Sequence, residues 1–382
     1  MNCHLCELPL DQAVEVGTTA RHGEAVRNVA CARCGLVQVT PLPSEAELAD
    51  YYATEYRRLY RPMPVGGHEP GTSEYEAALD AGAEAYAELL VEQLGLGPAS
   101  RVLEVGCGDG RLALALSKRV GAVIACELDV DERLKAWGRD VDVRWPSLAQ
   151  AVESGEVFDA VISSHVLEHL RSPIAALEAM ASMLTVDGVI WAEVPNVRKP
   201  YGDLATHYWQ RAHLYSFSPE TAALAALRAG LTGIASCADQ DHGRVLFLTA
   251  RNPQTRTPRT YAESVQLLGG EPQTGIEVAT ALEAYQRARQ ANAGRRLGEF
   301  MAATDEADRW LREEVQRMAD ALGSTMHALG KLAQDLDEYG SRDSTTDDEW
   351  GRAYECGERA MSQRVNVVVS HLANQLVTRS VS

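Results

Sequence analysis

The sequence predicts an α/β fold: a doubly wound, mostly parallel sheet over residues 91–251, preceded by a small cysteine module and followed by a helical tail. Three observations carry that prediction. Short apolar runs alternate with helical patterns between residues 101 and 250, the signature of successive βαβ units. One of those runs passes through a glycine-rich turn straight into a helix pattern, reading RVLEVGCGDGRLALAL over residues 101–116. Two CxxC pairs stand at the front of the chain, ahead of any periodic segment.

The pairs are Cys3–Cys6 and Cys31–Cys34. Each short turn aims two thiolates at one point, so the four can converge on a tetrahedral Zn²⁺. Two disulfides or four unligated thiols are the alternatives. A reducing compartment argues against the first and the paired spacing against the second. Four sulfur ligands leave no open coordination position, so such a zinc is structural, a staple for a segment too short to bury a core. His4 and His22 read as solvent-facing.

Pro41 and Pro43 close this module, which spans 1–43. Ser44 with Glu47 three residues on forms a capping box, so a helix starts there, carrying Tyr51, Tyr52, Tyr56 and Tyr60. RPMPVGGHEPGTS is a Pro/Gly-rich connection, and a helix over about 74–94 leads into the first strand, which places a lid or linker at 44–90.

The glycine turn predicts its ligand. Gly106, Gly108 and Gly110 are spaced G-x-G-x-G, neither the dinucleotide fingerprint nor a P-loop. Glu104 and Asp109 flank the turn, and carboxylates there repel a pyrophosphate but suit a positively charged ligand. S-adenosylmethionine, with a sulfonium and an ammonium, fits. A second acid, Glu127, ends the next apolar run about 20 residues on, where a carboxylate can accept from both ribose hydroxyls. Further strands are read at VDVR, DAVISS, VIWAEV, GIASCA and RVLFLTA; only a QDHG turn separates the last two, so they form a terminal antiparallel hairpin.

VLEVGCGDG, the acid in CELD and FDAVISSHVLEHL, in that order, resemble a class I S-adenosylmethionine-dependent methyltransferase over about residues 91–250. The resemblance implies a Rossmann-like seven-stranded sheet. It implies cofactor contacts from Glu104, Gly106, Cys107, Gly108, Gly110, Glu127, Leu128, Ser164 and His165, with Tyr56 on a tyrosine-bearing lid. The layout CxxC…CARCGLVQVTPLPSEAELADYY resembles the zinc-binding segment of some sugar and natural-product methyltransferases, deoxysugar C-methyltransferases among them.

A hydroxyl acceptor must lose its proton, and histidine is the usual agent near neutral pH. His165, Glu168 and His169 follow the fourth strand, and Glu168 with His169 reads as a structural pair. The insertion RKPYGDLATHYWQRAHLYSFSPE carries His207, Tyr208, Trp209, His213 and Tyr215 at the edge that forms an acceptor wall. His213, His207, Tyr208 and His169 are the candidate catalytic residues. His213 matches the histidine of a Glu-His pair in the resembling C-methyltransferases, but residue 212 is alanine, so a lone histidine base and O-methylation are expected. The alternatives are C- or N-methylation of a nucleotide-linked deoxysugar, or a non-catalytic cofactor-binding scaffold.

A formal net charge of −18 over 382 residues disfavours a nucleic-acid partner, whose phosphates require neutralisation. MNCHLCELPL has neither a basic leader nor an apolar core, and no apolar run spans a bilayer, so a soluble cytoplasmic protein acting on a small molecule is expected. Residues 252–382 read as helical. Val315, Leu322, Leu329 and Leu336 recur at heptad spacing with Leu311, Met318 and Leu332 beside them, a coiled-coil seam for a homodimer or an intramolecular core.

Overall fold

A computed structural model of the chain describes residues 1–56, 59, 64–238, 245–293 and 295. The heptad seam, Tyr60 and the QDHG turn lie outside the described residues. Met1–Ala293 form one compact unit.

The cysteine module contributes strands β1 (Val14–Thr19), β2 (Ala25–Ala30) and β3 (Val37–Val39). Helix α1 (Glu45–Tyr51) begins at the expected box: the Glu47 N–H donates to Ser44 Oγ at 3.2 Å and the Ser44 N–H to Glu47 Oε2 at 2.7 Å. A π-helical turn over Tyr52–Tyr56 continues it. Helix α2 (Ser73–Leu94) is capped by Thr72 and stopped by Gly95, whose φ of 64° a side chain would resist.

The central domain then alternates as predicted: β4 (Arg101–Val105), α3 (Arg111–Ser117), β5 (Ala122–Cys126), α4 (Val130–Gly138), β6 (Val143–Trp145), α5 (Leu148–Glu153), β7 (Phe158–Ser164), α6 (Pro173–Ser182) and β8 (Leu184–Pro195). After the insertion come β9 (Tyr215–Ser216), α7 (Pro219–Arg228), β10 (Thr232–Ala238), β11 (Val245–Arg251) and α8 (Tyr261–Leu268). A helix over 275–293, α9, follows.

The seven-stranded sheet has the order β10-β11-β8-β7-β4-β5-β6. β4 to β8 run parallel, and β11 pairs antiparallel with both β8 and β10, the expected terminal hairpin. Strand alternation sorts the core into two faces. Leu103, Val161 and Ile190 pack with Leu177 and Met180 of α6 on one face; Val102, Ile162 and Trp191 pack with Leu90 of α2 and Leu116 of α3 on the other. Each such leucine contributes about 1.5–3 kcal/mol by leaving water. Strand order reverses between β4 and β7, which opens a crevice at the carboxyl ends of those strands.

Two boundaries differ from the sequence expectation. The module sheet runs β1-β2-β3-β9, so its fourth strand comes from the insertion and not from residues 1–43. The compact unit continues past residue 251 to Ala293, because Val278 and Leu282 of α9 are buried with Val37, Val39 and Trp209. His4 is half-buried against Tyr215, ring centroids 5.6 Å apart, instead of facing solvent.

Candidate functional site

The glycine turn sits at the crevice because β4 ends there. The Gly106 N–H donates to the Cys126 carbonyl at 2.8 Å, lashing the turn to β5. Gly106, Gly108 and Gly110 all have positive φ, at 73°, 53° and 81°. A Cβ on Gly106 would meet Val166 Cγ2 at 2.4 Å, whereas one on Gly108 would meet nothing within 4 Å. That open space above Gly108 is the cradle.

Two carboxylates stand beside the turn, one on β4 and one just after β5. Glu127 receives the Gly108 N–H at Oε2 (2.9 Å) and the Asp129 N–H at Oε1 (2.8 Å), which fixes its plane; burial raises its pKa. Glu104 is 4% exposed, and its Oε2 has no hydrogen-bond partner. Burial, then the charge of Glu127, raises its pKa to about 8. The carboxyl accepts from the Ala113 backbone, and its unpartnered second oxygen is costly to bury and suits a cationic ligand. Cys107 is buried; burial and then Glu104 and Glu127 push its thiol up, so it is no nucleophile. Leu128 is 66% exposed at the crevice edge of β5.

At the end of β7, Ser164 leads into His165, held at φ 54°. The His165 ring bridges two carboxylates, Nδ1 to Glu168 at 3.3 Å and Nε2 to Glu193 at 3.1 Å. Burial opposes its charge, but the two hydrogen bonds outweigh this and raise its pKa to about 10. Tyr86 of α2 donates to Glu193 and receives the Trp191 indole N–H at 2.9 Å. Glu193 and Tyr86 escaped the sequence reading; a lone acid inside the apolar strand VIWAEV was the available signal.

Glu168, His169 and His213 form the third cluster. One carboxylate oxygen of Glu168 and one ring nitrogen from each histidine all lie within 4.8 Å of one another. The His169 Nδ1 is 3.0 Å from the Ala212 carbonyl and 2.9 Å from the Tyr52 hydroxyl, and the two imidazoles meet edge to face at 4.8 Å. Burial lowers the pKa of His169, and it lowers that of His213 to about 3, so both rings are neutral. Burial works against the Glu168 carboxylate, yet the hydrogen bond and the charge of His165 hold its pKa down at about 2. Its Oε2 has no hydrogen-bond partner.

The remaining candidates lie elsewhere. Tyr208 is 2% exposed and packs with Trp209, Val197 and Leu204 in the core, so it is not a crevice residue. His207 pairs with Thr206 Oγ1 at 2.7 Å and does not join the histidine cluster. Tyr56 packs tilted against Tyr52, ring centroids 5.0 Å apart, and through Tyr52 the tyrosine turn reaches His169. Cys3, Cys6, Cys31 and Cys34 are all buried and unbridged, with their Sγ atoms within 4.8 Å of one another. Cys3 and Cys34 are 3.6 Å apart, Cys6 and Cys31 3.4 Å.

Fold and crevice together define a doubly wound α/β domain with a crevice at the carboxyl ends of its parallel strands. Residues 78–236 match the family model described as a methyltransferase domain. A ubiquinone biosynthesis O-methyltransferase of Xanthomonas campestris is 35% identical over 108 residues, 26% of this chain and 44% of that protein. An uncharacterised methyltransferase of Mycobacterium tuberculosis is 33% identical over 93 residues, 23% of this chain and 47% of that protein. The chain spans less than half the length of these curated relatives. Among solved structures, a Synechocystis magnesium protoporphyrin IX methyltransferase is similar at 17% identity and a TM-score of 0.39, covering 55% of this chain and 100% of its own. An amino pentose methyltransferase from Micromonospora echinaspora has 20% identity and a TM-score of 0.37, covering 50% and 100%. No helix among the described residues is long and apolar enough to cross a membrane.

Proposed function

We propose that this chain methylates a hydroxyl of a small polar acceptor, a sugar or natural-product scaffold, with His213 as general base. When bound, S-adenosylmethionine supplies a methyl group already activated by its sulfonium. The residues present fit that group. Glu127 has lone pairs facing the cradle for ribose hydroxyls, Gly108 leaves room for close approach, and the orphaned Glu104 oxygen suits positive charge. Ser164 and His165, at the carboxyl end of neighbouring β7, are the candidates for the methionine end.

The observation that carries the reading is the carboxylate beside His213. Ala212 cannot provide one, but Glu168 stands within 4.8 Å of the His213 ring from the end of β7. A neutral His213 accepts the acceptor's proton at a ring nitrogen, and Glu168 stabilises the imidazolium so formed. Alignment and exclusion of water supply the rest, and effects of that kind reach about 7–11 kcal/mol.

The cysteine cluster fits Zn²⁺. Zn–S bonds of about 2.3 Å place tetrahedral sulfurs about 3.8 Å apart, close to the separations of 3.4 and 3.6 Å here. Cys3, Cys6, Cys31 and Cys34 would hold it with no open position, a structural metal.

Labelled cofactor incubated with a panel of sugars and aglycones tests the proposal. Label on an acceptor oxygen is the expected result. Label on carbon or nitrogen replaces O-methylation by the alternative chemistry, and cofactor binding without transfer to any acceptor leaves a scaffold.

A further inference from the structure

The acceptor wall hangs on two supports. On one side the Leu214 N–H donates to the Glu168 carbonyl at 2.8 Å, tying the segment to the end of β7. On the other, β9 is a strand of the cysteine module: Ser216 pairs with Val37 and Tyr215 with Gln38, and the Val39 N–H donates to the Leu214 carbonyl at 2.9 Å. Further along, the Arg21 N–H donates to the Trp209 carbonyl at 2.7 Å. β3 starts three residues after Cys34, and its approach is pinned by the Cys31 N–H donating to the Leu36 carbonyl at 2.9 Å. β3 is only three residues long, so where it lies depends on what holds its ends.

We infer that the four-cysteine module is the positioning element of the acceptor wall. The metal fixes the two knuckles, the knuckles fix β3, and β3 fixes residues 213–216 against Glu168 and His169. The glycine turn is carried by β4, β5 and α3, none of which pairs with the module sheet; the cysteines reach β4 and β5 only through side chains of a shared apolar cluster that includes Leu103, Val105 and Ile124. Metal loss therefore dismantles the acceptor chemistry while cofactor binding survives. The inference rests on the reading of His213 and of the thiolate metal given above.

The experiment uses the full chain, zinc-loaded and then stripped with a strong chelator, with metal release followed colorimetrically. Amide hydrogen exchange is read at residues 213–217 and 101–110, and S-adenosylhomocysteine affinity by calorimetry. Stripping should speed exchange at 213–217 at least tenfold and change the affinity less than twofold. Unchanged exchange at 213–217 with the zinc gone overturns the inference, as does equal loss of protection in both segments. Because Cys34→Ser could fail to fold, Ser216→Pro provides a second arm: proline cannot donate in the β9 ladder. That variant should keep its zinc and its affinity but lose turnover, and retained turnover overturns the inference. Failure of the proposed function looks different: zinc-loaded protein binds S-adenosylhomocysteine and methylates nothing, with the exchange result intact.

Discussion

The Gly108 N–H donates to Glu127 Oε2 at 2.9 Å, so the glycine turn and the acid that follows β5 are one hydrogen-bonded unit. A carboxylate held by two backbone donors keeps its orientation at little entropic cost on binding.

That unit separates folding from binding among the glycines. Gly106→Ala drives a Cβ to 2.4 Å from Val166 and should cost about 2–4 kcal/mol, strain and overpacking combined. Gly108→Ala meets no protein atom within 4 Å and should cost about 1–2 kcal/mol, from its positive φ alone. Its methyl occupies the cradle, so cofactor affinity should drop at least tenfold. Paired denaturation and calorimetry on both variants check this; wild-type affinity in Gly108→Ala would move the cofactor site elsewhere.

Glu104 makes binding proton-linked. With its pKa raised to about 8 it is largely protonated at neutral pH, and a cation beside it favours the ionised form. S-adenosylmethionine should therefore release a proton near pH 7 and bind more tightly as pH rises towards 8. Calorimetry in buffers of different ionisation enthalpy measures the release, which Glu104→Gln should abolish. Because the raised value also means that the folded state holds this proton longer than the unfolded one, Glu104 makes stability fall between about pH 4 and 8 in the unliganded protein.

What local sequence dictates was legible: the glycine turn, the alternation of strands and helices, and the Ser44–Glu47 box all lie within a few residues of chain. What long-range pairing dictates was not. β9 is two residues with no periodicity of its own, and only β3 makes it a strand. Glu193 meets His165 because β7 and β8 run side by side in parallel, a register no spacing reveals. Tyr208 and His213 stand five apart in one aromatic insertion, yet one fills the core and the other joins the histidine cluster. Composition cannot tell those fates apart.

His165 reports on both its carboxylates. Its pKa near 10 lies above the unfolded value of about 6.5, so the stability it contributes is whole below that and lost as pH rises towards 10. Its side chain is 48% exposed, so solvent screens part of this effect. Glu193→Gln should lower the His165 pKa and flatten stability across that range. NMR titration of the ring protons would detect the change, and an unaltered titration would dismiss the Glu193 contact.

Glu168 and His213 give the sharpest kinetic signature. With its pKa lowered to about 3, His213 is unprotonated across the working range, so kcat/KM for the acceptor, measured at saturating cofactor, should show no acid limb between pH 5 and 7. An ordinary histidine base would produce one near 6.5. His213→Asn should reduce kcat about 10²–10⁴-fold with S-adenosylhomocysteine affinity unchanged. Glu168→Gln should also reduce kcat, and it should lose about 1–3 kcal/mol of stability at pH 7, since charge-assisted hydrogen bonds to a buried carboxylate disappear. The Glu168 pKa of about 2 lies below the unfolded value, so that stability is present above about pH 4 and vanishes as pH falls towards 2, where variant and wild type converge. An acid limb near pH 6.5 that survives His213→Asn would hand the proton to another group and leave the Glu168 cluster a purely structural brace.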